Sequence, residues 1–221
     1  MFKGVSPRLP GDLGHAETLD VNVCYEILED VCFMDLVQGS EKTKGTLIAA
    51  AKRLESKGVK AITGDWGLLS LYQQEIASEL KVPFVSSSLL LLPLIWNLQG
   101  KVGEIGIITG HTYLLKQEHL LKAGVTEDMK LCIAGMESEE EFKKVVLSGG
   151  DVLDSDNMEQ GLINVCTKLI EQHPDIKSIL LECTNLPTYS AKINKLFDIP
   201  VYDAVSLTKL VSLAINPHTF I

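Results

Sequence analysis

The stretch VKAITGDWGLLSLYQQEIASELKVPFV (59–85) lies without a gap over IKSILLECTNLPTYSAKINKLFDIPVY (176–202) when the chain is slid along itself by 117 residues. Lys60 meets Lys177, Ile62 meets Ile179 and Leu69 meets Leu186. Tyr72 meets Tyr189, Ile76 meets Ile193 and Pro83 meets Pro200. Both segments read as strand, turn, helix, proline, strand. Unbroken register through three elements favours duplication of one unit; the alternative is the grammar that all strand–helix–strand units share. Two such units about a pseudo-twofold axis turn their strand C-termini toward one cleft, where open α/β sheets bind ligands. There one unit carries Gly64-Asp65-Trp66-Gly67 and the other Leu181-Glu182-Cys183-Thr184, so Trp66 and Cys183 are equivalent positions.

Outward from the repeat, β-rich runs fall at 22–27, 59–63, 82–86, 102–109, 176–182 and 199–202. Helical patterns fall at 42–57, 67–80, 112–123, 157–173, 187–197 and 203–215. Ser138 to Glu141, ahead of Phe142, reads as a capping box opening a further helix. Alternation of this kind predicts an α/β fold with parallel sheet and helices on both faces. The Leu98-Gln99-Gly100-Lys101 segment marks a lobe boundary. The N-terminal lobe is expected over 1–98 plus 205–221 and the C-terminal lobe over 99–204, with the site between them.

The 221 residues are 46% apolar and 22% charged, the composition of a soluble globular protein. Twenty Lys+Arg against 29 Asp+Glu give a formal charge of −9, which argues against nucleic acid or an anionic membrane as partner. The longest apolar run, Leu89 to Trp96, falls short of the ~18 residues of a membrane span. No apolar h-region follows the start, so no signal peptide is expected. Five cysteines (24, 32, 132, 166 and 183), without a CxxC pair, suit reduced thiols in a cytoplasm better than disulfides or a zinc site. No metal site is expected, and no GxGxxG, GxxxxGK[ST] or GxSxG motif is present.

Cys183 sits between an apolar strand and a helix expected to open with Asn185 as N-cap and Pro187 in the first turn. A thiol facing the positive end of a helix is expected to have a lowered pKa. Thr184 and Asn185 add donors for a carboxylate. The alternative is a buried structural cysteine, which is the reading for Cys24, Cys32, Cys132 and Cys166.

The segments PRLPGDLGHAET (7–18), AITGDWGLL (61–69), PFVSSSLL (83–90), IGIITGHT (105–112) and LLECTNLP (180–187) resemble the aspartate/glutamate racemase superfamily, with its hydantoin racemase and arylmalonate decarboxylase relatives. The resemblance implies two pseudo-symmetric three-layer αβα lobes, no cofactor, a small carboxylate-bearing substrate and commonly a homodimer. It places a cysteine at each lobe's strand end. The second matches Cys183; at the first, this chain has Trp66.

That departure decides the chemistry. Two-base racemisation needs a group on each face that gains and loses a proton, and an indole N–H only donates. One thiol still suffices for decarboxylation or β-elimination. The expected function is therefore that of a single-cysteine lyase or decarboxylase on a carbon acid next to a carboxylate, with Cys183 catalytic. Substrate binding is expected of Asp12, Trp66, Gly67, Leu68, Thr109, Gly110, Thr184 and Asn185, of which Asp12, Thr109 and Gly110 resemble family positions at the substrate. His111 is a candidate second acid/base, which would permit an amino-acid or hydantoin racemase; a water is another. Its plainer reading is a capping residue. A small-acid binding protein without turnover is the third alternative. Asp65 and Glu182 read as a matched acidic pair, and Ser86, Ser87 and Ser88 as hydroxyls offered to the cleft.

Overall fold

The computed structural model describes residues 6–29, 31 and 33–219. The chain is α/β with two parallel sheets. After an irregular segment come α1 (Phe33–Gln38) and α2 (Glu41–Ser56), the latter capped by the Ser40 hydroxyl on Thr43 N–H. Strand β1 (Ile62–Thr63) leads through a 3-10 turn (Gly67–Tyr72) into α3 (Gln73–Ala77) and then β2 (Phe84–Val85). Helix α4 (Leu92–Leu98), with Pro93 in its first turn, connects to β3 (Glu104–Thr109). Then follow α5 (Gln117–Lys122), β4 (Leu131–Gly135), the short α6 (Glu140–Phe142) and α7 (Ser155–Gln172). The chain ends with β5 (Ile176–Leu181), α8 (Ser190–Phe197), β6 (Val201–Tyr202) and α9 (Ala204–Ile215).

Strands β1 and β2 pair with each other, and the larger sheet runs β4-β3-β5-β6. Alternation along its central strands fills both faces, as a buried parallel sheet requires. Ile105, Ile107 and Leu180 pack with Leu89, Leu92 and Ile95 on one side. Ile108, Ile179 and Leu181 pack with Phe142, Leu162 and Cys166 on the other.

The 117-residue offset reappears in the backbone. Ile62 pairs Phe84 and Thr63 pairs Val85; at the offset positions Ile179 pairs Val201 and Leu180 pairs Tyr202. Ile62 N–H donates to Pro83 O, and Ile179 N–H to Pro200 O, each at 2.9 Å. The turns also correspond. Leu69 N–H donates to Trp66 O at 3.0 Å and Leu186 N–H to Cys183 O at 3.1 Å. Trp66 and Cys183 thus occupy the same place in two copies of one turn.

Several expected elements differ. Residues 22–27 form no strand: the backbone there is irregular and Asn22 to Cys24 are exposed. Strand β4 was not among the expected runs, because it is a five-residue edge strand with Ile133 37% exposed. The capping box at 138–141 does not form. Glu139 takes the N-cap position without a side-chain bond, and Glu141 accepts instead from Asp154 N–H at 2.8 Å. Cys132 and Cys166 are buried as expected, Cys24 is exposed, and Cys32 lies outside the described residues. Among the described residues no helix is long and apolar enough to cross a membrane.

Candidate active site

The chain leaves β5 through Glu182, whose N–H donates to Ile108 O at 2.8 Å and prolongs the β3–β5 ladder by one step. This fixes the following turn against the end of β3. Thr109, the last residue of β3, donates its hydroxyl to Glu182 Oε2 at 2.7 Å. Glu182 is 3% exposed, and burial, only partly offset by bonds from Thr109 and Gly110 N–H, pushes its carboxyl up to about 7. The carboxyl lies so close to Gly67 that a Cβ there would come within 1.9 Å of Glu182 Oε1. Gly67 is therefore a place where only glycine fits.

Cys183 follows. Its thiol donates to Asn185 Oδ1 at 3.6 Å, and Asn185 Nδ2 donates to Asp12 Oδ2 at 2.7 Å. Asp12 Oδ1 accepts from Arg8 Nη1 at 2.7 Å and from Gly14 N–H at 2.7 Å. Arg8 also pairs with Asp65, Nη2 to Oδ2 at 2.8 Å. A relay of polar contacts thus ties the thiol to the first described turn of the chain. The expected lowering of the Cys183 pKa is overturned. Packed atoms strip the thiol of solvation, and the charges of Glu182, Asp12 and Asp65 push the same way, so its pKa is raised. The positive helix end is also missing: Leu186, not Asn185, is the N-cap, and only a three-residue 3-10 turn (Pro187–Tyr189) follows. Asn185 serves Cys183 and Asp12 instead of capping.

One cavity of about 910 Å³ receives these groups. Cys183, Thr184, Asn185 and Glu182 line it from the β5 turn; Asp65, Trp66, Gly67 and Leu68 from the β1 turn; Thr109, Gly110 and His111 from the end of β3. Gly110 leaves the sulfur approachable, since a Cβ there would sit 3.6 Å from Cys183 Sγ. Trp66 holds an extended backbone, and its half-buried ring packs against two apolar clusters. His111 Nδ1 accepts from Tyr113 N–H at 3.3 Å, a capping contact.

Asp12 is buried and does not line this cavity; it acts on it only through Asn185 and Arg8. Asp65 and Glu182 are not a matched pair: Asp65 is ion-paired to Arg8, and Glu182 is bonded to Thr109. Ser86, Ser87 and Ser88 do not face the cavity. Ser87 caps Leu89 N–H, and the Ser88 hydroxyl donates to Leu181 O at 3.0 Å. Sequence reading missed Arg8, although it stands inside the quoted PRLPGD stretch, because its partners are 4 and 57 residues away. It also missed Phe142 and the 146–149 segment, whose apolar and small residues carry no chemical signature.

No protein-family model matches the chain. It is 31% identical over 205 residues to the dimethylsulfoniopropionate lyase of Durusdinium sp. clade D, covering 89% of this chain and 67% of that protein. It is 30% identical over 225 residues to dimethylsulfoniopropionate lyase 3 of Emiliania huxleyi, covering 96% of this chain but 58% of that protein. The chain thus spans about three fifths of the Emiliania relative. Among solved structures, unliganded arylmalonate decarboxylase matches with TM-score 0.61 at 15% identity, over 99% of this chain and 92% of that one. Allantoin racemase from Klebsiella pneumoniae matches with TM-score 0.57 at 14% identity, over 86% and 75%. The two structural matches show a common racemase/decarboxylase fold.

Proposed function

We infer the reaction from one premise: the chain belongs to the family of dimethylsulfoniopropionate lyases. We propose that it is a lyase for a small carboxylate carrying a sulfonium, or similar cationic leaving group, on the β-carbon. Dimethylsulfoniopropionate is the first substrate to test. The observation that carries this reading is the shared cavity, where one thiol, one indole and an acidic wall meet. Glu29, Asp35, Asp65 and Glu182 line it against Arg8, which is already paired to Asp12 and Asp65.

The proposed chemistry is a β-elimination with Cys183 as base. Its raised pKa makes the thiolate scarce in the free protein and strongly basic once formed. A bound sulfonium corrects the scarcity. A unit charge ~4 Å from the sulfur, at an effective dielectric of ~20, is worth about 4 kcal/mol, or about 3 pKa units. The thiolate takes a proton from the carbon next to the carboxylate. That C–H pair becomes the C=C bond, the C–S bond breaks, and its electrons leave on sulfur as dimethyl sulfide. Acrylate remains, and the thiol returns its proton to water. Glu182, neutral over the weakly acidic range, does not repel the substrate carboxylate, and the Thr184 hydroxyl, which donates to Asp65 O at 3.3 Å in the free chain, turns to donate to it. The Trp66 face suits the sulfonium as a cation–π partner. Proton removal and leaving-group loss need no second base, so Trp66 opposite Cys183 is compatible with turnover.

The test is incubation of the purified chain with dimethylsulfoniopropionate, following acrylate by NMR and dimethyl sulfide in the headspace. Formation of both supports the reading. Their absence, together with inversion and deuterium uptake by chiral amino acids or hydantoins in D₂O, would instead favour a racemase using His111, which lines the same cavity.

A further inference from the structure

At the opposite end of the larger sheet, three chemically different side chains converge. Glu104 opens β3, Cys132 is the second residue of β4, and His173 caps the C-terminus of α7 just before β5. One ligand atom from each lies within 4.8 Å of the others. His173 Nδ1 is 3.1 Å from Glu104 Oε2. Cys132 is 5% exposed, and its sulfur makes a long contact, 3.6 Å to Ile105 O. The frame holding them is tight. Glu104 N–H donates to Asp175 O and Ile105 N–H to Lys130 O, each at 2.9 Å, and Ile176 N–H donates to His173 O at 3.1 Å. Neighbouring parallel strands therefore fix all three positions.

We propose that Glu104, Cys132 and His173 form a zinc site with three protein ligands. A tetrahedral ion with bonds of ~2.0–2.1 Å to N and O sets those ligand atoms roughly 3.3 Å apart, close to the observed His173–Glu104 separation. Thiolate with imidazole selects a borderline-soft ion over Mg²⁺ or Ca²⁺, which take oxygen ligands. One thiolate and one carboxylate neutralise Zn²⁺, so the partly buried site carries no net charge. The Cys132 thiol gives its proton to water as the S–Zn bond forms. The half-exposed side of His173 leaves an entry path and room for water as fourth ligand. Five strand steps of about 3.3 Å separate Glu104 from Thr109, so the ion lies roughly 16 Å from the thiol cavity and clamps the sheet without entering the proposed elimination. The three ligands are distant in sequence, which is why cysteine spacing does not reveal them.

The experiment uses the full chain, stripped with a chelator, reloaded with ZnCl₂ or CoCl₂ and desalted. One zinc per chain is expected by elemental analysis, with a thiolate-to-Co²⁺ charge-transfer band in the cobalt form. Saturating zinc is expected to raise Tm by about 5 °C at a hundredfold excess over Kd. Metal and band are expected to disappear in Cys132→Ser and in the surface variant His173→Gln, and to persist in Cys183→Ser. No stoichiometric metal in the wild type, or binding that survives both Cys132→Ser and His173→Gln, would overturn the proposal.

Discussion

Asn185 Nδ2 donates to Asp12 Oδ2 at 2.7 Å across 173 residues of chain, while Oδ1 of the same amide accepts from the Cys183 thiol at 3.6 Å. Asp12 thereby fixes which way the amide faces, and the amide fixes the thiol. The arrangement explains how a residue outside the cavity belongs to the site.

Asn185→Ala is expected to remove the acceptor of the Cys183 thiol and the Asp12 link while keeping the backbone bond of residue 185 that lowers the Cys183 pKa. With Cys183 as base, loss of this positioning contact should lower kcat about tenfold, and the rising limb of the pH–rate profile, no longer held by an acceptor of the protonated thiol, should move to lower pH, with KM changing less. The measurement is kcat and KM from pH 6 to 10 for both proteins. An unshifted profile contradicts the role given to Asn185.

Glu182 supplies a stability signature with a definite sign. Its folded pKa of about 7 lies above the ordinary 4.5. Between those values the native state holds a proton that the unfolded chain has lost, so stability falls as pH rises through the window and is flat on either side. The contribution is of order 3 kcal/mol. Denaturant unfolding at a series of pH values should show this fall in the wild type and lose it in Glu182→Gln.

Gly67→Ala places a methyl group 1.9 Å from Glu182 Oε1 and 2.4 Å from the Glu182 carbonyl oxygen. Overpacking of this kind is expected to cost about 3 kcal/mol, read from the urea midpoint. An unchanged midpoint would show that the β1 and β5 turns are not pressed together.

The fold was largely legible. Pairs such as Ile62/Ile179 and Pro83/Pro200 preserved their register because strand pairing and core packing constrain the same positions in both copies. Cys183, Trp66, Gly67 and Thr109 were legible through motif position, and all line one cavity. What sequence could not show was balance. Nothing local says that no helix end meets Cys183 and that desolvation sets its pKa, or that Asp65 finds Arg8 while Glu182 meets no cation among the described residues. These outcomes depend on contacts across more than fifty residues, as do the Ser88–Leu181 bond and the Asn185–Asp12 link. Residues 22–27 misled because, among the described residues, their apolar alternation pairs with no strand.

Trp66→Leu keeps the cavity wall apolar and removes the π face. For a sulfonium substrate KM should rise about fivefold to thirtyfold, the range of a partly desolvated cation–π contact. Inhibition by the neutral thioether analogue, 3-(methylthio)propionate, should barely change. Equal losses for cation and neutral analogue would reduce Trp66 to a space-filling role.

The most direct test compares the rate of acrylate release from dimethylsulfoniopropionate by wild type and by Cys183→Ala, with folding of the variant checked by circular dichroism. Cys183 as the base requires turnover in the wild type and a loss of roughly 10³-fold in the folded variant. Turnover within about tenfold of wild type in Cys183→Ala would contradict it.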